Sequence, residues 1–118
     1  MRKLIDKYES YFDDLVTLYD ITGNNRTLRI AVTEFRTIED GEIYENGANV
    51  EVIGQDKNDD EIIKAIYEEL KDDYEETDMD YTTDYNSYIN TRLYASFTTY
   101  GTPDDIEDII TAVEKRIA

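Results

Sequence analysis

The sequence predicts an α+β domain: an antiparallel sheet of three to four strands covered by three helices, in the order α-β-β-α-(β)-β-α. Two kinds of pattern carry this. Apolar residues recur at helical spacing in three segments, and the segments between them alternate as strands do. The chain has one proline and no Gly/Ser linker, and its 118 residues suit one domain that buries roughly two thirds of its unfolded surface. Residues 1 to 118 therefore read as a single domain.

Residues 2 to 19 place Leu4, Ile5, Tyr8, Phe12, Leu15, Val16 and Tyr19 at spacings of three and four, which predicts a first helix with one buried stripe. DITGNNRT, residues 20 to 27, then stacks turn formers, with Gly23 and two asparagines suited to positive φ. In TLRIAVTEFRT, residues 27 to 37, Leu28, Ile30 and Val32 share one face, and Asp40-Gly41 supplies a tight hairpin turn into EIYENGANVEVIG. Asn46-Gly47 interrupts that second arm, so it is expected to bulge or to start near Ala48.

From residue 58 to about residue 74, Ile62, Ile63, Ile66, Tyr67, Leu70 and Tyr74 restore the helical period, with Asn58 or Asp59 as the cap. SYINTRLYASFTTY, residues 87 to 100, alternates as a long strand, with MDYTTDY as a pairing arm through a turn at Asn86-Ser87. GTPDDIEDIITAVEKRIA closes the chain as a helix. Thr102 is the expected cap, Pro103 the first helical residue, acids fill the first turn and Lys115 and Arg116 the last.

Charge is the outlying quantity. Twelve bases against 29 acids give −17, a field that repels nucleic-acid phosphates and anionic membranes and speeds encounter with basic partners. Direct nucleic-acid or membrane binding is thus disfavoured. The 11 tyrosines and 40% apolar residues separate the chain from disordered acidic tails, which lack the apolar surface to offset chain entropy. There is no cysteine, the start MRKLIDKYESYF has no apolar signal core, and no run approaches membrane-spanning length. These features predict a cytoplasmic protein.

Without histidine or cysteine the chain has no imidazole base, no thiolate nucleophile and no zinc site of the usual ligands. No catalytic residue, cofactor or metal is expected. In DKNDDEIIKAIYE, Asp56, Asn58 and Asp60 sit like the first three ligands of a calcium loop. The match then fails, with Glu61 where glycine makes the turn and Tyr67 where a bidentate glutamate is required. A capped, acid-rich helix start explains the segment better. Lys57, Lys64 and Lys71 recur every seven residues, and Asp60, Glu61 and Glu68 before them suffice as helix-surface ion-pair partners. Arg26, Arg29 and Arg36, in or beside the first predicted strand, are read as edge blunting or as partners of acids.

The acids concentrate in one quarter of the chain. Residues 56 to 84 hold 13 acids and 3 bases, a net of −10, and from Asp72 to Asp84 there are seven acids and no base. Such repulsion costs stability and invites a functional explanation. Tyr74, Tyr81, Tyr85 and Tyr88 are interleaved with these acids, and exposed tyrosine offers flat apolar area and a hydroxyl to a partner. The expected partner-binding residues are Asp72, Asp73, Glu75, Glu76, Asp78, Asp80, Tyr81, Asp84 and Tyr85. An ordered acidic surface presents charges at spacings comparable to a nucleic-acid backbone, so arginines and lysines built for phosphates would grip it.

In size, acidity, absence of cysteine and acid-tyrosine clusters such as DDYEETDMDYTTDY, the chain resembles the small acidic DNA-mimic inhibitors of mobile elements, the anti-restriction and anti-CRISPR proteins. The resemblance covers composition and implies an inhibitor with no chemistry of its own. It would occupy the basic groove of a host defence enzyme, a Cas nuclease or a restriction enzyme. Two alternatives remain: an acidic adaptor for a basic protein unrelated to nucleic acid, and a divalent-cation-dependent hydrolase built on a carboxylate pair.

Overall fold

The computed structural model describes residues 1–10, 14–84, 87–100 and 103–118, with side chains outside 36–39, 43–46, 82–84, 87–91 and 103. Six strands form one antiparallel sheet: β1 (Arg2–Glu9), β2 (Leu15–Gly23), β3 (Arg26–Glu39), β4 (Glu42–Ile53), β5 (Glu76–Asp84) and β6 (Ser87–Thr99). Their spatial order is β1-β2-β3-β4-β6-β5, so β1 and β5 are the two edges. Two helices complete the fold, α1 (Asp60–Leu70) and α2 (Pro103–Ile117). The expected sheet of three to four strands with three helices is thereby corrected.

The predicted first helix is a hairpin of β1 and β2. Its apolar residues fit a three-four period, but VTLYDI fits a period of two equally well, and β-branched Val16, Thr17 and Ile21 favour strand. Non-local pairing decides between them, because β2 lies against β3 without interruption from Leu15↔Glu34 to Gly23↔Arg26. Between the two strands the Ser10 amide donates to the Asp14 carbonyl at 2.8 Å, and the Asp14 amide donates to Ser10 Oγ at 3.2 Å. Phe12 lies outside the described residues.

The turn expected in residues 20 to 27 narrows to Asn24 and Asn25, at φ 49° and 60°, and strand continues on both sides of them. Asp40 and Gly41, both with positive φ, close the β3–β4 hairpin. The register of β4 slips opposite Phe35 and Arg36, where Asn46 is the extra residue. Glycine is needed beside it, since Gly47 has φ 152° and a Cβ there would fall 2.6 Å from the Thr99 carbonyl oxygen.

Helix α1 is shorter than its apolar period suggested, being flanked by the 3-10 turns Lys57–Asp59 and Lys71–Asp73. Its entry is a reciprocal cap. Asp56 accepts from the Asn58 amide at 2.7 Å, while the buried Asp59 carboxylate accepts from the amides of Gln55 and Asp56 and pairs with Arg26 at 3.2 Å. Asp59 is the N-cap position of α1, one of the two expected, but its carboxylate serves the preceding 3-10 turn, which Asp56 caps, and the calcium-like spacing is cap chemistry. Helix α2 begins at Pro103, with Asp104 and Asp105 in its first turn. The predicted Thr102 cap lies outside the described residues.

Both helices cover one face of the sheet, α1 over β6 and α2 over β2. Ile21, Leu28, Ile30, Val50, Val52 and Phe97 meet Ile63, Ile66, Ile109 and Ile110 there, all almost fully buried. The opposite face follows from the register: Val16, Ala31, Glu51, Ser96 and Asp78 lie on it, and no helix covers it among the described residues. Arg29 and Arg26 sit on an interior strand, where they pair with Asp20 at 3.0 Å and with Asp59, so they neutralise acids and do not blunt an edge. Among the described residues no helix is long and apolar enough to cross a membrane.

Candidate functional site: an acidic sheet edge

Most of the acidic stretch is strand rather than loop. Asp72 and Asp73 end the 3-10 turn after α1, Glu75 follows, and Glu76 opens edge strand β5. Alternation then sorts the side chains. Thr77 and Met79 face the helices, Thr77 within 3.3 Å of the Tyr67 hydroxyl and Met79 against the core, whereas Glu76, Asp78 and Asp80 point to the uncovered face and are exposed. Successive acids in this row are about 7 Å apart, roughly twice the 3.4 Å axial rise per phosphate of one DNA strand.

The residues directly opposite add no cation to the row, though Arg92, opposite Thr82 on the same face, is the diagonal neighbour of Asp80. Glu76, Asp78 and Asp80 stand opposite Thr98, Ser96 and Tyr94 of β6, and Ser96 in turn stands opposite Glu51 of β4. Glu51 is therefore a fourth acid on this face, about two strand spacings or 10 Å from Asp78. Burial pushes its carboxyl above the usual range. The Tyr94 phenol is raised too, first by burial and then by Asp78, Asp80 and Glu51. Asn49 fills the adjoining position, donating to Ser96 Oγ at 2.7 Å and Thr98 Oγ1 at 2.9 Å. Among the described residues none of Glu51, Glu76, Asp78 or Asp80 is in an ion pair, whereas Arg2, Arg26, Arg29, Lys71 and Arg116 all are.

At the start of β5 the surface turns concave. Asp73, Tyr74, Glu75, Thr99, Tyr100 and Asp105 line a cleft of about 300 Å³. Tyr100 donates to Glu76 Oε1 at 3.0 Å and Thr99 donates to Asp105 Oδ2 at 2.5 Å. The Tyr74 phenol is pushed up to about 12, first by burial and then by Asp105, Asp108 and Asp73. Carboxylates beside phenol rings suit one kind of guest, a lysine or arginine side chain.

Asp72, Asp73, Glu75, Glu76, Asp78 and Asp80 are all exposed at or before β5, whereas Tyr81, about half exposed, alternates to the helix side opposite Leu93. Asp84 lies on β5 with its side chain undescribed, and Tyr85 and the Asn86 end of the expected turn lie outside the described residues. Tyr74 is only partly exposed: its ring packs tilted against Phe97, with ring centres 5.9 Å apart, and its remaining surface lines the cleft. Sequence reasoning missed Glu51, Tyr94, Tyr100 and Asp105. The alternation of Asn49, Glu51 and Ile53 with buried Val50 and Val52 was the available signal for Glu51, but only the register places it beside β5. Among the described residues no three acidic side chains gather to hold a metal ion. No protein family, curated protein or solved structure matches this chain.

Proposed function

We propose that this chain is an acidic inhibitor that lays its β5 edge into the basic nucleic-acid groove of a defence nuclease in the cytoplasm and competes with DNA or guide RNA there. The carrying observation is the row Glu76, Asp78, Asp80, held at regular spacing by a strand and unpaired among the described residues. A stretched row held by backbone hydrogen bonds loses little entropy on binding, unlike a loop that must first be ordered. The amides of Met79 and Tyr81 donate to Asp78 Oδ1 and Asp80 Oδ1 at 2.9 and 2.8 Å. Those edge donors are satisfied, which favours engagement through carboxylates over addition of a partner strand. The acid-lined cleft beside Tyr74 and Tyr100 accepts one protruding basic side chain of the partner.

The test is capture from nuclease-treated bacterial lysate on wild-type bait and on bait with Asp72, Asp73, Glu75, Glu76, Asp78 and Asp80 changed to Asn or Gln. The expected result is a nucleic-acid enzyme held by wild type, lost from the neutral variant, and displaced by added DNA. A captured protein that binds DNA and this chain together, or that holds the neutral variant equally, overturns mimicry.

A further inference from the structure

The opposite edge of the sheet has the contrary chemistry. Strand β1 exposes Leu4, Ile5 and Tyr8 at 55%, 41% and 46%, large apolar side chains on an edge whose outer backbone groups have no strand partner among the described residues. The register slips between Leu4 and Asp6, so Ile5 is an inserted residue. A bulge often protects an edge by twisting it away. Here it leaves two adjacent apolar side chains, Leu4 and Ile5, exposed instead of charge. Of the outer amides, Lys7 donates to its neighbour Asp6 at 2.8 Å, near the far end of the strand.

From this we infer that β1 docks antiparallel against β1 of a second copy, joining two sheets across a two-fold axis. Three arguments select this occupant. Charge runs along β1 from Arg2 and Lys3 at its start to Asp6, Lys7 and Glu9 at its end. An antiparallel copy brings the basic start toward the acid-bearing end, and a parallel one sets bases against bases. Next, residues 1 to 36 contain six bases and six acids, so the −17 of the chain lies entirely in the remaining residues. A second highly acidic body can approach this edge without meeting a like field.

Distance supplies the third argument. Edge β5 is five strand positions from β1, about 24 Å at the usual strand spacing, against a Debye length of about 8 Å at physiological salt. Repulsion between the acidic edges of two copies is thus screened in a β1–β1 dimer. Pairing of β1 with β5 of the next copy would match bases to acids. It would also strip the amides of Met79 and Tyr81 from their aspartates and leave an open-ended filament.

Sedimentation velocity of the full chain at physiological salt, from about 1 to 100 μM so as to bracket a micromolar Kd, tests the inference. Wild type is expected to pass from monomer to dimer and stop there. Leu4→Ser with Tyr8→Ser should weaken the dimer at least tenfold, and since these substitutions change no charge, the loss cannot come from added repulsion. Ile5→Ser alone should act the same way, and thermal melts check that both variants fold. The variant with six neutralised acids should keep the dimer, which separates this inference from the one about β5. A monomer throughout, a dimer that ignores all three substitutions, or growth beyond the dimer overturns it.

Discussion

The two edges of this sheet manage unpaired backbone in different ways. Strand β5 places an aspartate before each of two edge amides and lets the carboxylate accept them, so the edge becomes both satisfied and negative. Strand β1 has one such aspartate, Asp6, and otherwise presents Leu4, Ile5 and Tyr8 with three bases. Each edge is tied to the body by different forces. Beneath β5, Thr77 meets Tyr67, and the rings of Tyr67 and Tyr74 pack on Phe97 at 6.2 and 5.9 Å. At β1, Arg2 reaches α2, pairing with Glu107 at 2.9 Å and Glu114 at 2.8 Å, and lies over the Tyr19 ring. Apolar packing therefore supports the acidic edge and charge supports the apolar one. The lesson is that an edge's surface chemistry does not reveal what holds it.

The largest effect should come from removing the apolar support of β5. Phe97 is fully buried beneath that edge, so Phe97→Ala should cost about 3 to 5 kcal/mol in denaturant titration. Hydrogen exchange should show β5 losing protection before β1. Equal loss at both edges would mean that the sheet yields as one unit and that the two supports are not separate.

Arg2→Ala is the matching change at the other edge, and it should cost less, about 1 kcal/mol, because the pair is partly solvated. Its effect should appear as faster exchange in β1 with β5 unchanged. The Arg2 guanidinium is held further toward its charged form by the hydrogen bond to Glu107, so it stays a cation across the ordinary pH range. A larger loss than for Phe97→Ala would reverse the ranking of the two supports.

How much of this contrast the sequence carried depends on the range of the signal. Helix α2 was legible from Pro103, Asp104, Asp105, Lys115 and Arg116, and the β3–β4 hairpin from Asp40-Gly41, because caps and turns are local. The β1–β2 hairpin was not legible: Leu4 to Tyr19 fit a helix period by chance, and only pairing with β3 excludes the helix. For the site, MDYTTDY was legible as an arm pairing with the long strand, but its start at Glu76 was not, since Asp is disfavoured in strands. Glu51 and Tyr94 come from strands distant in sequence, so no single window could join them to Asp78.

Screening should sharpen the comparison further. Moderate salt is expected to raise the thermal midpoint of wild type by a few degrees, on the scale of about 4 to 8 °C per kcal/mol in small domains. The increment should shrink when the six acids from Asp72 to Asp80 are neutralised. An increment of the same size in that variant would place the destabilising repulsion elsewhere than at β5.

Within the acidic face, Glu51 gives a pH test. Its folded carboxyl is raised by burial, so the stability it contributes is fully present below the unfolded carboxylate range and is lost as pH rises through the folded value. Glu51→Gln should therefore be more stable than wild type at neutral pH, with the difference vanishing toward acid. Melting both proteins at a series of pH values measures this, and a difference that grows toward acid would contradict the burial of Glu51.

The smallest expected effect appears in alkali and reads the field at the start of β5. Tyr74 is raised to about 12 by burial and by Asp105, Asp108 and Asp73, against about 10 for an unperturbed phenol. Unfolding between these values releases a proton that the folded chain retains. The stability that the neutral phenol contributes is present below about 10 and is lost as pH rises toward about 12. Tyr74→Phe keeps the ring on Phe97 and removes the hydroxyl, so the variant should gain stability relative to wild type over that interval and match its pH trend below it. Denaturant titrations on both sides of the interval decide the point. If the two proteins lose stability in parallel through it, neither the burial nor the negative charge assigned to this cleft acts on Tyr74, and the case for a basic side chain seated there weakens with it.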